Sequence, residues 1–382
     1  MFALSSYDYS LPKHLIATAP IYPREAAKLL VYDRATGRIT HTTFAHLLEF
    51  IPKDCIITLN NTRVLKARIY GKKLGSNTTR EIFFHRFATR DERAALESTF
   101  AQALESTFSP KSTSALESTL LNSHALALCQ IRGRVKVGDI FACGRFYAQV
   151  VALLDNGYRV TRFFAQDRES SQMPLNQEAV LAMLEEIGHI PLPPYIKRAS
   201  NDNDIKDYQT LFATQAGAIA APTASLHLSA TMLEALKEQI AYLTLHIGAG
   251  TFASVDVPDI REHTMHTESL HITAQALEKL LCAKSRLCVG TSALRSVEFA
   301  ARLYEAHPKP YTDLHAQCDI FLHLGNKPRY VDYLLTNFHL PKSTLTMLVA
   351  SMVGYEQWRK IYEQAIAKEY RFYSYGDAML IL

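Results

Sequence analysis

The stretch LTNFHLPKSTL, residues 335–345, reads as a strand that empties into a helix. The run 333–338 is apolar and β-like, and His339 follows it. Pro341 stands where proline suits a first helical turn, because its missing N–H is not needed there. Leu345, Leu348 and Val349 then share one side of the helix. Asn337, His339, Lys342 and Ser343 are thereby delivered together at a strand end and a helix N-terminus, where unpaired N–H groups and the helix dipole favour an anion. A packing element has no use for that mixture, whereas the floor of an active site does.

The same alternation of strand and helix extends upstream. EAVLAMLEEIG (178–188) is an amphipathic helix ending at a glycine, and HIPLPPYI (189–196) is proline-rich and extended. SATMLEALKEQI (229–240) predicts a helix, with Thr231 and Glu234 placed as a capping box. AYLTLHI (241–247) and SRLCVG are strands, ITAQALEKLLCA and ALRSVEFAARLYE are helices, and DIFLHL (319–324) and YLLTNF (333–338) are strands again. This order predicts a large α/β domain with a mainly parallel sheet, which binds ligands at the carboxyl ends of its strands.

Between the first strands and this region the pattern is different. EIFFHRF (81–87), ALALCQI (125–131), GRVKVGDIF (133–141), RFYAQVVALL (145–154) and YRVTRFF (158–164) are short β-type runs, with turn signals at Gly138-Asp139 and Asn156-Gly157. They predict a smaller inserted antiparallel β-barrel. The expected boundaries are 1–64 and 155–382 for a discontinuous α/β domain and 65–154 for the barrel. ALEST occurs at 95–99, 103–107 and 115–119, too few copies and too uneven for a solenoid. It predicts an expanded solvent-facing loop at about 91–122.

Composition narrows the function classes. Hydrophobic residues make up 48% and charged residues 20% of 382, which is ordinary for a globular enzyme. The six cysteines form no CxxC pair and match no zinc spacing, which predicts free thiols in a reducing compartment. The N-terminal residues lack the pattern of a signal peptide, and no stretch reaches the roughly 20 apolar residues of a bilayer span. A cytoplasmic protein without membrane contact is expected. The net charge of +4 is small, but residues 66–145 hold 13 Lys/Arg against 7 Asp/Glu. That excess of +6 leaves the rest near −2, the pattern of a basic module that meets RNA on a near-neutral body or, equally, of a solvated basic surface.

Four strand ends carry polar clusters. AAPTASLHL (220–228) presents Thr223, Ser225 and His227, and HIGAGTF (246–252) offers His246, Gly248, Gly250 and Thr251. VGTSALR (289–295) puts Thr291 and Ser292 at a helix N-terminus with Arg295 one turn on, and TNFHLPKS is the fourth. The GxG lacks the continuation of a dinucleotide fingerprint, and Lys342-Ser343 lacks the glycines of a phosphate loop. REHTMHTE (261–268) contains His263, His266 and Glu268 at spacings that match no known metal motif, so it reads as a hydrogen-bonding cluster at a substrate or as a plain surface turn. In RFYSYGDAMLIL the aromatic and acidic residues Tyr375 and Asp377 line a site or, alternatively, cap a turn before a docked strand.

Taken together these segments resemble the S-adenosylmethionine:tRNA ribosyltransferase-isomerase family of queuosine biosynthesis. The resemblance begins at YDYSLPKHLIA (7–17), YPRE (22–25) and NNTRV (60–64). It runs on through HIPLPPYI, YQT (208–210), AAPTASLH, HIGAGTF, EHTMHTE and GTSALRSVE to LLTNFHLPKSTL and RFYSYGDAMLI. Ser225 stands where the family has glycine, Leu228 where it has phenylalanine and Ser292 where it has threonine, and the ALEST insertion has no counterpart. The first two changes are expected to reshape the pocket wall near His227.

The resemblance implies transfer and isomerisation of the ribosyl part of S-adenosylmethionine onto a 7-aminomethyl-7-deazaguanine at the tRNA wobble position. Adenine and methionine leave, and epoxyqueuosine-tRNA is the product. S-adenosylmethionine is then a substrate, no metal or redox cofactor is expected, and a monomer is expected. The sulfonium acidifies the C5′ protons, so a base is needed. His227, His246 and His339 are the leading acid–base candidates, followed by Glu268 and Asp377. Thr223, His266, Thr291, Ser292, Arg295, Asn337, Lys342, Ser343 and Tyr375 are the candidates for substrate polar groups, and Gly248, Gly250 and Thr251 for backbone contact with the nucleoside. Arg63, Lys66, Arg68, Lys72 and Lys73 are the candidates for tRNA phosphates. Two rivals remain at this stage: a non-catalytic tRNA-binding protein using the basic β domain, and an α/β transferase with a nucleotide-sugar or phosphoribosyl donor.

Overall fold

The computed structural model describes residues 1–96, 125–166, 172–248, 250, 255–308 and 310–382. The chain divides into two compact units, Met1–Val64 with Leu192–Leu382, and Leu65–Pro191. The strands are β1 (Lys28–Tyr32), β2 (Ile39–Thr43), β3 (Cys55–Asn60) and β4 (Thr62–Val64) in the first pass through the large unit. The inserted unit holds β5 (Arg68–Lys73), β6 (Thr79–Phe87), β7 (Leu126–Ile131), β8 (Ile140–Cys143), β9 (Phe146–Leu153), β10 (Arg159–Gln166), β11 (Gln172–Pro174) and the helix α1 (Gln177–Ile187). The return pass carries α2 (Asp202–Asp207), β12 (Gln215–Ala218), α3 (Ala230–Leu236), β13 (Ile240–Leu245) and β14 (Glu268–Ile272). It continues with α4 (Ala274–Leu281), β15 (Ser285–Val289), α5 (Thr291–Ala306), β16 (Leu314–Cys318) and β17 (Tyr333–Asn337), and closes with α6 (Thr344–Val353), α7 (Tyr355–Ala367) and β18 (Ala378–Ile381).

The large unit is built on a nine-stranded sheet of order β16-β14-β13-β3-β15-β17-β18-β1-β2. Its centre, β13-β3-β15-β17, is parallel, as strands joined by helical crossovers must be. Antiparallel pairs β17–β18, β1–β2, β13–β14 and β14–β16 extend it, and only β18–β1 adds another parallel contact. The α/β layer is therefore mixed around a parallel centre. Strand alternation feeds two cores. Leu30, Tyr32, Leu334, Met379 and Ile381 pack with Leu294, Val297, Leu348 and Trp358. Their strand neighbours Leu29, Val31, Leu335, Ala378 and Leu380 pack with Phe44, Leu47, Met232 and Leu236.

The inserted unit is a closed six-stranded antiparallel barrel, β10-β7-β6-β5-β8-β9, completed by the β9–β10 pairing, with β11 beside β10. This pairing corrects the expected return at 154/155. Asn156-Gly157 is the hairpin turn between β9 and β10, so the last barrel strand lies beyond it and the crossing falls at 191/192. The predicted strand 319–324 is also corrected, since β16 occupies 314–318 instead. The cap of α3 is Ser229, whose side chain accepts the Met232 N–H, rather than a Thr231–Glu234 box. Most of the ALEST loop lies outside the described residues. No described helix is long and apolar enough to cross a membrane.

Candidate active site

The loops that follow β12, β15 and β17 line one cleft in the large unit, with a cavity volume of about 110 Å³. Its wall combines residues 220–224, the 290–292 turn with Arg295, and residues 336–340 with Ser343. Tyr195, Tyr208, Ile247, Glu268, Tyr373 and Ser374 complete it. Two of the contributing strands, β15 and β17, are parallel neighbours, so their carboxyl ends open side by side.

At the end of β15 the chain turns through Gly290, whose φ of 94° is a left-handed value that favours glycine. Gly290 caps α5 without any side-chain hydrogen bond to the first-turn N–H groups, so the 16-residue helix presents them toward Thr291 and Ser292. Asn60, buried on β3, donates to Ser292 Oγ at 3.4 Å and to Leu245 O at 3.0 Å, which ties the turn to two neighbouring strands.

One turn along α5, Arg295 is 5% exposed. Its Nη1 donates to Glu268 Oε2 at 2.6 Å and its Nε to Ile320 O at 3.1 Å. Its Nη2 is buried and has no hydrogen-bond partner. Glu268, 3% exposed, also accepts the Gly248 N–H at 3.0 Å and lies 3.4 Å from His266 Nε2. Burial alone would push this carboxyl up, but His266, Arg295 and Gly248 outweigh it and hold it below the usual range. Gly250 backs the same cluster, for a Cβ there would stand 2.6 Å from the His266 ring.

At the end of β17, Thr223 Oγ1 donates to Asn337 Oδ1 at 2.9 Å, which leaves the buried Asn337 Nδ2 without a partner. His339 Nε2 lies 2.9 Å from Thr336 Oγ1, and its backbone N–H donates to Tyr362 Oη at 3.2 Å. Burial pushes the His339 imidazole down to about 3, so at pH 7 it is neutral and only weakly basic. The helix start differs from expectation. Ser343 is the N-cap of α6, accepting the Thr346 N–H at 3.2 Å, and Pro341 lies in the turn before it. The remaining wall is aromatic. The rings of Tyr195 and Tyr373 sit 4.5 Å apart, Tyr195 Oη accepts the Ser374 N–H at 3.0 Å, and Tyr208 is fully buried with an unpartnered hydroxyl.

The structure thus brings Thr223, Glu268, Thr291, Ser292, Arg295, Asn337, His339 and Ser343 to one cleft, with Gly248, Gly250 and His266 behind Glu268. Other candidates are placed elsewhere. His227 is buried against Phe44, with its Nε2 at 2.9 Å from Gly376 O, and burial pushes its ring down to about 4. It lies off the cleft, and the variant positions Ser225 and Leu228 beside it do not line the cleft either. His246 turns its Nδ1 to Thr62 Oγ1 at 2.8 Å and also lies off the cleft. Asp377 accepts the Lys28 and Arg371 backbone N–H groups at 2.9 and 2.7 Å at the entry to β18, and it does not line the cleft. Tyr375 lines a smaller cavity with His227, and Lys342 pairs with Asp8 at 2.6 Å. Thr251 lies outside the described residues.

Among the RNA candidates, Lys66, Arg68 and Lys73 are paired with Glu185, Glu81 and Asp139, whereas Lys72 is exposed on β5. Arg63 is half-buried on β4. Tyr195, Tyr208, Thr336 and Tyr373 were not singled out from the sequence. The segments HIPLPPYI, YQT and RFYSYGDA contain three of them, so the signal was present as aromatic residues within these segments.

A family model described as "Queuosine biosynthesis protein" matches residues 4–381. A Helicobacter pylori J99 protein named S-adenosylmethionine:tRNA ribosyltransferase-isomerase is 49% identical over 387 residues, covering 100% of this chain and 99% of its own. A Helicobacter hepaticus protein of the same name is 46% identical over 395 residues, covering 100% and 97%. The crystal structure of a Thermotoga maritima S-adenosylmethionine tRNA ribosyltransferase is 25% identical, aligns over 99% of this chain and 100% of that one, and has a TM-score of 0.49.

Proposed function

The chain belongs to the queuosine biosynthesis protein family, and on that premise we propose that it is an S-adenosylmethionine:tRNA ribosyltransferase-isomerase working in the cleft just described. It moves the ribosyl group of S-adenosylmethionine onto the aminomethyl nitrogen of the 7-deazaguanine at the tRNA wobble position, with loss of adenine and methionine. The observation that carries this assignment of the site is the pair of buried donors without partners, Arg295 Nη2 and Asn337 Nδ2, in the same cleft as a neutral His339.

Each demand of the reaction has a group to meet it. The methionine carboxylate takes the open α5 N-terminus at Thr291 and Ser292 together with Arg295 Nη2. Asn337 Nδ2 donates to a ribose hydroxyl. The cation sits near Glu268, which is ionised and shielded from water. His339, held by Thr336, removes the C5′ proton that the sulfonium acidifies, and Tyr195 and Tyr373 offer an aromatic face to a departing base. Holding these reactants in one geometry supplies much of the acceleration in a rearrangement of several steps. The sulfonium activates its own carbon, so the chemistry calls for no redox or metal cofactor. We assign the basic barrel, with Lys72 exposed on it, to tRNA phosphates, and we place the monomeric enzyme in the cytoplasm, where its tRNA substrate is found. Binding without catalysis would leave the cleft's unpartnered donors without a role.

The test is adenine release from S-adenosylmethionine and tRNA carrying the deazaguanine precursor. The wild-type chain releases one adenine per modified tRNA. His339→Ala retains its fold and tRNA affinity and loses at least about 100-fold in turnover. Unchanged turnover in that variant removes His339 as the base.

A further inference from the structure

The free edge of the nine-stranded sheet carries a second constellation, none of whose members lines the cleft. His271 on β14 and His315 on β16 are cross-strand partners, held in register by Leu270↔Ala316 and Ile272↔Leu314 on either side. Their rings stack face to face, with centroids 4.3 Å apart at 9°. Asp313 stands two residues before His315, with its Oδ2 at 3.7 Å from His271 Nε2. One nitrogen or oxygen from each of the three residues lies within 4.8 Å of the others.

Three details separate this group from an ordinary surface ion pair. The pairing of β14 with β16 fixes the two imidazoles on one face, so their proximity is built into the backbone. The Ala274 N–H donates to Asp313 Oδ1 at 2.8 Å, which orients the carboxylate and turns its other oxygen toward the histidines. His271 Nε2 is shut off from solvent and makes no hydrogen bond, although it faces the carboxylate. A nitrogen in that position is met only by the carboxylate, beyond hydrogen-bond distance.

We propose that His271, His315 and Asp313 bind a divalent transition-metal ion of the zinc class at the rim of the sheet. Two imidazoles and one carboxylate suit a borderline ion, whereas magnesium and calcium ask for an oxygen shell. Zinc–ligand bonds of 2.0–2.2 Å require donor atoms roughly 3.3 Å apart in a tetrahedron. His315 and Asp313 are exposed, so side-chain rotation alone closes the remaining distance. Water fills the fourth position. The ion cross-links β16, an edge strand, to β14, whose first residue Glu268 holds Arg295. Its role is structural, and the proposal does not depend on the ribosyl chemistry.

The experiment is calorimetric titration of the untagged, metal-stripped full-length chain with zinc chloride, in a Cys282→Ser background that removes the exposed thiol. One equivalent binds, and His315→Ala and Asp313→Asn each weaken binding at least tenfold while adenine release stays unchanged. Zinc also slows amide exchange at 268–272 and 314–318 in the parent and not in His315→Ala. Binding that is absent below millimolar zinc, or equally strong in both variants, overturns the proposal.

Discussion

Arg295→Met tests at once what holds the cleft together and what it binds. Arg295 and Glu268 are 5% and 3% exposed, and their closest N–O distance is 2.6 Å. Methionine follows the arginine stem but takes the guanidinium away from Glu268, which keeps the Gly248 N–H and His266. Removing one partner of a buried ion pair in this way costs about 3–5 kcal/mol. Adding Glu268→Gln removes the buried negative charge, so the double variant recovers at least about 2 kcal/mol of that loss, because a buried ion pair replaced as a whole is often close to neutral. Urea melts of the four chains measure the cycle. Function is expected to part from stability. A charge-assisted hydrogen bond to the methionine carboxylate is worth about 1.5–3 kcal/mol, so KM for S-adenosylmethionine rises about 10- to 150-fold in Arg295→Met. It stays raised in the double variant. A stability loss under about 1 kcal/mol refutes the argument from burial, and a double variant with wild-type KM refutes substrate contact by Arg295. The pair also sets an acid limb. Because the folded Glu268 carboxyl lies below its unfolded value of about 4.3, its stabilisation is complete above that pH and is lost as the pH falls through the lower folded value. Arg295→Met shrinks that limb.

His227 works in the opposite sense from a salt-bridged histidine. Its folded value of about 4 lies below the unfolded ~6.5, so the unfolded chain takes up a proton that the folded one refuses, and stability falls by about 3 kcal/mol as the pH drops between those values. His227→Gln flattens this slope in pH-dependent urea melts while adenine release stays within about twofold. Glu298, fully buried on α5, accepts the N–H groups of Arg329, Tyr330 and Val331 through one oxygen and meets Arg302 through the other. Glu298→Ala strands three backbone donors, removes the ion pair to Arg302, which keeps Asn326 and Lys327, and costs at least about 3 kcal/mol by chemical denaturation. Lys72→Ala weakens tRNA binding and lowers the slope of log K against log salt by about one, with KM for S-adenosylmethionine unchanged.

Local grammar made the strand-to-helix turns readable. Gly290-Thr291-Ser292 and Asn337 to Ser343 each follow an apolar strand and precede a helix, and both segments line the cleft. Direction was harder to read. His227 and Asp377 occupy the same kind of position, but their side chains turn inward to backbone groups at Gly376, Lys28 and Arg371, and the distance in sequence to two of those partners is about 150 and 350 residues. Tyr195 and Tyr208 lie in segments without a period, so nothing marked them as wall residues. The parallel centre of the sheet followed from helical crossovers, whereas the insertion of β18 between β17 and β1 is a pairing of distant segments that no local pattern encodes. The barrel boundary was missed for a related reason. A hairpin turn and a domain exit look alike until the pairing of β9 with β10 is known.

The position of β18 also bears on how the protein is made. β1 emerges early from the ribosome, yet one of its two partners, β18, begins 350 residues later, at Ala378 against Lys28. At roughly 5–20 residues per second, the nascent chain waits on the order of tens of seconds with that flank of β1 open. The barrel, whose strands are all contained in residues 65–191, meets no such delay. Synthesis therefore finishes the insert before its host, and a chain cut before Ala378 lacks an interior strand of the sheet.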